Sequence, residues 1–105
     1  KNFAYLMDKN GKWSLSPAYD ITYSKGVMKS HTMTVTGKDS NITREDILKI
    51  VKSQSIKPAI AVKIINDCIE VVKTFEEKAR ELELDVHTLE ECKRDIDSQI
   101  ELLRT

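Results

Sequence analysis

The N-terminal part of the chain contains short apolar segments that are typical of β-strands. Residues 3–7 and 12–15 are short segments with aromatic and aliphatic side chains, and a loop that contains Asn10-Gly11 separates them. Asn-Gly is typical of a type I′ hairpin turn, because both residue types accept the positive φ that this turn needs. We therefore expect a β-hairpin here, and the alternating, β-branched residues 31–36 favour a further short strand.

Beyond residue 42, apolar residues recur at three- and four-residue steps, which predicts helices. Thr43, followed by acidic residues, is typical of a helix start, since the helix dipole favours negative charge at its N-terminus. Pro58 suits the first turn of a second helix, and the apolar spacing to Leu82 predicts a long helix of roughly 25 residues, with a bend along it left open. The run Thr88–Glu91 has the pattern of a capping box and predicts a third helix.

The composition changes at the same boundary. All three glycines, the tryptophan and all three tyrosines precede residue 41, whereas the remainder is rich in Ile, Val, Leu, Glu and Lys. We predict an α+β protein of 105 residues, the size of one domain. A β-hairpin and an irregular β segment would occupy residues 1–40, and an antiparallel three-helix bundle would form a helical subdomain over residues 41–105.

Charge and hydropathy exclude several classes of protein. The 17 basic residues balance 17 acidic ones, so we expect no direct nucleic-acid binding, which depends on basic charge. No stretch approaches the ~20 apolar residues of a membrane span, and residues 1–5 lack the order of a signal peptide. Cys68 and Cys92 fall outside any CxxC spacing; we expect both to pack in the helical core, in a reduced, cytoplasmic setting.

Two oxygen-bearing side chains stand at the two ends of the predicted hairpin. Asn2 opens the first strand and Asp20 follows the second, and in an antiparallel hairpin the start of one strand lies near the end of the other. An amide oxygen and a carboxylate are ligands that Mg²⁺ accepts together with phosphates and waters. Asn and Asp at such positions are more often local hydrogen-bonding residues, so the pattern alone favours that interpretation over a metal site.

Four runs of sequence resemble the HipA family of serine/threonine kinase toxins, which belong to bacterial toxin–antitoxin systems. The runs are residues 1–6, 13–22, 31–38 and 41–48, and the most specific element is Leu15–Asp20 within the second run. The resemblance covers residues 1 to about 50, while the later helices match only in general character. It implies that the chain is the C-terminal part of such a kinase, a fragment of its C-lobe.

The resemblance also implies roles for Asn2 and Asp20. In that family the catalytic loop ends in a magnesium-binding Asn, and an Asp in a Ser-Pro-Ala-Tyr-Asp run binds magnesium as well; these two positions match Asn2 and Asp20. The parent protein would then be an ATP- and Mg²⁺-dependent transferase. Its catalytic Asp, nucleotide loop and lysine would all precede residue 1, so no catalytic residue is assigned within this chain. We expect the chain alone to be inactive and to bind neither Mg²⁺ nor ATP tightly.

Partners also follow from the resemblance, which implies a helix-turn-helix antitoxin and an aminoacyl-tRNA synthetase as the protein substrate. A second interpretation is a non-enzymatic module in which helices within residues 43–105 bind a partner protein and the β segment is a structural remnant. Several apolar residues before residue 41 would pack against the rest of a kinase lobe. If they stay uncovered, we expect self-association, domain swapping or partial disorder of residues 1–40. These apolar residues are Phe3, Tyr5, Leu6, Trp13, Tyr19 and Tyr23.

Overall fold

The fold is α+β, with a two-stranded antiparallel hairpin followed by helices. The computed structural model describes residues 2–25 and 28–104; Lys1, which opens the first family-like run, lies outside the described residues. Within those ranges there are four helices where the sequence predicted three. The elements are β1 (Tyr5–Met7), β2 (Trp13–Leu15), α1 (Arg44–Ser53), α2 (Pro58–Val72), α3 (Phe75–Glu81) and α4 (Val86–Arg104).

The hairpin forms where the sequence predicted it, but its turn is of a different type. The Asp8 N–H donates to the Lys12 carbonyl at 2.9 Å, and the Asp8 carboxylate accepts from the backbone N–H groups of Asn10 and Lys12. In this loop only Gly11 has a positive φ, of 81°. The loop therefore has three residues with Gly11 in the left-handed region, and the predicted type I′ turn at Asn10-Gly11 is wrong. The Asp8 side chain provides the bonds that favour the longer loop.

The strand predicted over residues 31–36 does not form. Val35 and Lys38 make an isolated antiparallel bridge, with N–H to carbonyl distances of 2.8 and 3.0 Å. Thr36 and Gly37 connect them, and both have a positive φ, of 52° and 84°, as a type I′ turn requires. In the described part of the chain this segment has no neighbouring strand, so its β-branched residues have no ladder to join.

Helix α1 has a cap at each end. The Thr43 side chain accepts from the Asp46 N–H and the Asp46 side chain accepts from the Thr43 N–H, which completes a capping box and confirms the predicted start. At the other end Ser55 has a φ of 57°, and the Ile56 N–H donates to the Val51 carbonyl at 3.1 Å. This is a Schellman motif, although no glycine is present.

The single long helix predicted from Pro58 to Leu82 is divided into α2 and α3. The Thr74 N–H and the Thr74 hydroxyl both donate to the Val71 carbonyl, at 3.1 and 2.7 Å. A threonine hydroxyl competes in this way for backbone carbonyls. The Thr74 N–H bonds to the carbonyl three residues earlier, and this makes the turn tighter than an α-helical one. The predicted long helix is therefore two helices, a full break where the sequence left open a bend, while its start at Pro58 is confirmed.

The N-cap of helix α4 lies three residues before the predicted cap at Thr88. The Asp85 carboxylate accepts from the Thr88 N–H and hydroxyl, both at 3.1 Å, and the Leu89 N–H donates to the Asp85 carbonyl at 2.8 Å. Asp85 is therefore the N-cap, and the predicted start at Thr88 is wrong. Aspartate ranks above threonine as an N-cap, which explains the earlier start.

The buried apolar core lies between α2 and α4, and α1 packs on both of them. Arg44 of α1 reinforces this contact: its Nε donates to the Leu103 carbonyl at 2.6 Å and its Nη2 donates to Asn66 Oδ1 at 2.8 Å. Across the described ranges, none of the helices is both long and apolar enough to cross a membrane. The core contains Ile65, Ile69 and Ile100, with Ile47, Ile96 and Leu103 packed against them.

The two cysteines are free and lie in different surroundings. Cys92 is buried, as the sequence predicted, whereas Cys68 is exposed, so its placement in the core is wrong. Helix α2 directs Ile65 and Ile69 inward. Cys68, one residue before Ile69, is rotated by about 100° from that direction and faces solvent.

Candidate functional site

The hairpin brings Asn2 and Asp20 together. Asn2 precedes β1 and Asp20 follows β2, and the pairing continues beyond the strands because the Ser16 N–H donates to the Ala4 carbonyl at 2.8 Å. The Asn2 side chain then reaches across, and its Nδ2 donates to Asp20 Oδ2 at 3.1 Å. The proximity that the hairpin pattern predicted is therefore present in the structure.

Both residues have a left-handed backbone. Their φ values are 65° for Asn2 and 52° for Asp20. Asn and Asp adopt this region more readily than other residues with a Cβ, yet it still costs roughly 1–2 kcal/mol per residue. Strain of this kind persists only where the surrounding structure enforces it. Six other described residues besides glycine have a positive φ, among them Ser55 and Glu83 at helix ends, so this backbone conformation alone does not mark the site.

A shallow cavity of about 270 Å³ opens beside the pair, lined in part by Phe3, Leu15 and Pro17. Asp20 is exposed and Asn2 is half-buried. A carboxylate and an amide oxygen are donor types that Mg²⁺ accepts together with water and phosphate. In this structure the Asn2 amide nitrogen faces the Asp20 carboxylate, so the residue types fit a magnesium ion once the amide turns its oxygen toward Asp20. Within residues 2–25 and 28–104 there is no cluster of three or more His, Cys, Asp or Glu side chains that could hold a metal.

Beyond Asp20, the chain is tied to helix α4. The Tyr23 hydroxyl donates to Asp95 Oδ2 at 2.6 Å, and the Lys25 ammonium forms an ion pair with Glu91. The hydrogen bond to the Asp95 carboxylate favours the protonated phenol and raises the pKa of Tyr23 to about 12. No local spacing in the sequence signals this contact, because 72 positions separate the two partners.

A second polar cluster surrounds Asp46, whose side chain is only 2% exposed. Its carboxylate accepts from Lys38 Nζ at 2.6 Å, from Thr43 Oγ1 at 2.8 Å and from the Thr43 N–H at 3.0 Å. The Lys38 hydrogen bond, followed by those from Thr43, holds the pKa of Asp46 well below its usual range. The cluster attaches the turn at 35–38 to α1, whereas the sequence predicted Asp46 only as a first-turn acid.

The comparison with protein families places the chain in a known class. The family model described as the HipA-like C-terminal domain matches residues 1–79, well over half of the chain. The chain therefore belongs to this family, and the resemblance found in the sequence is confirmed. Comparisons with curated proteins and with solved structures gave no match. The family match ends within α3, so α4 and its Asp95 lie beyond it.

Proposed function

We propose that the chain is the C-terminal part of a HipA-like serine/threonine protein kinase in which Asn2 and Asp20 bind the Mg²⁺ that accompanies ATP. Family membership supports this proposal. The observation that carries it is that the two side chains meet at the base of the hairpin, where Asn2 Nδ2 donates to Asp20 Oδ2 at 3.1 Å. In the kinases that the chain resembles, an Asn and an Asp hold magnesium in the same order along the chain.

Each of the two side chains makes a different contribution to such a site. The Asp20 carboxylate supplies the negative charge that attracts a cation, and the Asn2 amide adds a neutral oxygen donor. The hydrogen bond from Asn2 holds the carboxylate in place before any ion arrives. When bound, Mg²⁺ neutralises phosphate charge and orients the transferred group. Both residues are thus binding residues, and neither is the base that takes the substrate proton.

The helical part would form the end of the kinase C-lobe, with its helices arranged as an antiparallel bundle. The family's catalytic Asp precedes the magnesium-binding Asn by five residues, a position that falls outside residues 1–105, as do the nucleotide loop and the lysine. Phosphoryl transfer depends on the positioning of the complete set. The purified 105-residue chain is therefore expected to transfer no phosphate from ATP to a protein substrate, and measured transfer would contradict this.

The biological setting is proposed from the same family. A helix-turn-helix antitoxin would be the partner, an aminoacyl-tRNA synthetase the protein substrate, and the bacterial cytoplasm the compartment. Family membership is the support for these assignments. Two free cysteines are compatible with a reducing compartment.

A magnesium titration followed by NMR tests the proposed site. We expect weak binding, with chemical-shift changes concentrated at Asn2 and Asp20 and their neighbours. Asp20→Asn removes the only charge of the pair and should weaken the affinity by at least about tenfold, equivalent to ~1.4 kcal/mol. Asp67→Asn is the matched control, because Asp67 is an exposed aspartate of α2 that pairs with Lys63. The Mg²⁺ affinity of this variant should equal that of the unaltered chain.

Two results would overturn the proposal. One is a set of shifts that lies away from the hairpin base or that persists unchanged in Asp20→Asn. The other is the absence of any response when saturating ADP is added with the magnesium to supply phosphates. The second result would favour the alternative of a helical interaction module, in which Asn2 and Asp20 have only a local hydrogen-bonding role.

A further inference from the structure

The segment that carries Asp20 has no regular secondary structure of its own. Residues 16–25 form neither helix nor strand. At one end this segment leaves the hairpin at β2. At the other end two side-chain contacts attach it to α4, namely Tyr23 with Asp95 and Lys25 with Glu91. Asp20 is therefore held between the hairpin and a helix that lies outside the family match.

We propose that Tyr23 and Asp95 are positioning residues for the site formed by Asn2 and Asp20, an inference that rests on the proposed function. Tyr23 follows Asp20 by three residues, a length of chain that spans at most roughly 10 Å. A displacement of Tyr23 therefore also displaces Asp20. Asp20 also occupies the left-handed region, which an unrestrained Asp leaves for ordinary φ values. Loss of the Tyr23 contact would release this conformation and separate the two ligands.

Tyr23 is better suited to this role than Lys25, although the two residues are exposed to a similar extent, at 42% and 41%. The Tyr23 hydroxyl donates to a carboxylate at 2.6 Å, a bond of the short, charge-assisted kind. Lys25 and Glu91 have long side chains, and exposed ion pairs between such side chains fix geometry poorly. The bond of Tyr23 also persists at neutral pH, because its phenol stays protonated.

Two variants test the contact from its two sides. Tyr23→Phe keeps the ring and deletes the hydroxyl, and Asp95→Asn keeps the shape and deletes the charge. The matched control is Tyr5→Phe, since Tyr5 is an exposed tyrosine of β1 outside the cavity. The two readouts are the backbone ¹⁵N relaxation of Asp20, and the Mn²⁺ concentration that half-broadens the Asp20 amide signal, with Mn²⁺ as a paramagnetic substitute for Mg²⁺.

We expect both variants to raise the nanosecond mobility of Asp20 and to raise the half-broadening concentration by about tenfold, the effect that groups supporting a metal ligand commonly have. The variant that carries both substitutions should bind Mn²⁺ as well as either single variant does, because each substitution removes the same contact. Tyr5→Phe should behave like the unaltered chain. Unchanged helical circular dichroism in all variants would show that the fold is retained.

The possible failures are distinguishable. If the unaltered chain shows no Mn²⁺ effect at Asp20, the proposed function fails, and the relaxation data still decide whether Tyr23 orders Asp20. If Mn²⁺ binds but both variants bind it equally well, the positioning role is overturned and the proposed function stands. Additive losses in the double variant would also overturn the inference, since the two residues would then act independently.

Discussion

At the scale of single residues, Asp46 joins the irregular N-terminal region to the helices. A buried carboxylate is costly unless its lone pairs and charge are satisfied. Lys38 supplies a cation and Thr43 supplies two hydrogen bonds, while the Thr36 hydroxyl lies 3.4 Å away. Asp46 therefore has two functions, as the third residue of α1, which closes its capping box, and as the acceptor that holds the turn at 35–38.

Replacing Asp46 should destabilise the chain. Asp46→Asn keeps the size of the side chain, but it removes the charge that pairs with Lys38. It also replaces one acceptor oxygen with an NH₂ group, which cannot accept the hydrogen bonds that Lys38 and Thr43 donate. We expect the midpoint of thermal unfolding to fall by several degrees. Glu45→Gln, in the same helical turn but exposed and paired only with Lys49 among the described ion pairs, should change it little. Equal midpoints for the two variants would contradict this assignment.

The same carboxylate predicts a pH dependence. Its folded-state pKa lies below its unfolded value, so its contribution to stability is complete above about pH 4 and is lost as the pH falls from there through the folded-state pKa. Denaturant unfolding at neutral and at acidic pH measures this. The difference in unfolding free energy between the unaltered chain and Asp46→Asn should shrink with acidification. A difference that stays constant down to the lowest pH would show that the charge of Asp46 is not its cause.

At the scale of elements, two helices end in Schellman motifs without glycine. Ser55 follows α1, and Glu83 follows α3 with a φ of 55°. The Leu84 N–H donates to the Ala79 carbonyl at 2.9 Å and the Glu83 N–H donates to the Arg80 carbonyl at 3.1 Å. Each motif satisfies carbonyls at the helix end but places a residue with a Cβ in the left-handed region.

Glycine at such a position should stabilise the chain. Glu83→Gly removes the Cβ penalty, and we expect the free energy of unfolding to rise by about 1 kcal/mol, since the gain exceeds the extra entropy that glycine adds to the unfolded state. Glu83→Ala is the control: it removes the same charge but keeps the Cβ, so it should leave the free energy nearly unchanged. Denaturant titrations compare the three proteins, and a rise of equal size in both variants would assign the gain to charge.

Local sequence signals predicted several elements correctly. The hairpin, the capped start of α1 at Thr43 and the start of α2 at Pro58 all depend on residues close together along the chain. The proximity of Asn2 and Asp20 also follows from the hairpin, because antiparallel pairing fixes where its ends lie. Pattern and spacing were sufficient where no second nearby side chain competed for the same backbone groups.

Features decided by competing or distant groups were not predictable. The Asn10-Gly11 pair suggested a two-residue turn, but the Asp8 side chain favours a longer loop. The hydroxyl of Thr74 interrupts an otherwise continuous apolar pattern. The Tyr23–Asp95 bond joins residues that share no motif, so only the folded chain places them together.

At the scale of the whole molecule, the chain is extended and its hairpin is uncovered. The radius of gyration is 16.2 Å, compared with ~13 Å for a compact domain of this length. Every residue of both strands is exposed, and two apolar pairs, Tyr5 with Leu15 and Met7 with Trp13, lie on one face. An isolated two-stranded hairpin is only marginally stable in water, so this face favours a covering partner.

The uncovered face predicts self-association of the purified chain. Sedimentation at increasing concentration should show a rising mass, because a second copy buries the apolar pairs of the first. Trp13→Lys places a charge in that face and should shift the association to at least about tenfold higher concentration, equivalent to ~1.4 kcal/mol. Val71→Lys places a charge at an exposed apolar position of α2, outside that face, and should leave the concentration for association unchanged. A monomeric mass at all concentrations, with slow amide exchange in the hairpin, would contradict the prediction.

Helix α4 lies outside the part of the chain that matches the family, so a truncation chosen from sequence similarity alone would omit it. A truncation after residue 79 would remove the helix against which Ile65 and Ile69 are buried, and with it the acceptor of the Tyr23 hydroxyl. The shortened polypeptide would expose its own interior and lose the support of the loop that presents Asp20. The smallest piece that folds therefore reaches further along the chain than the piece that similarity delimits.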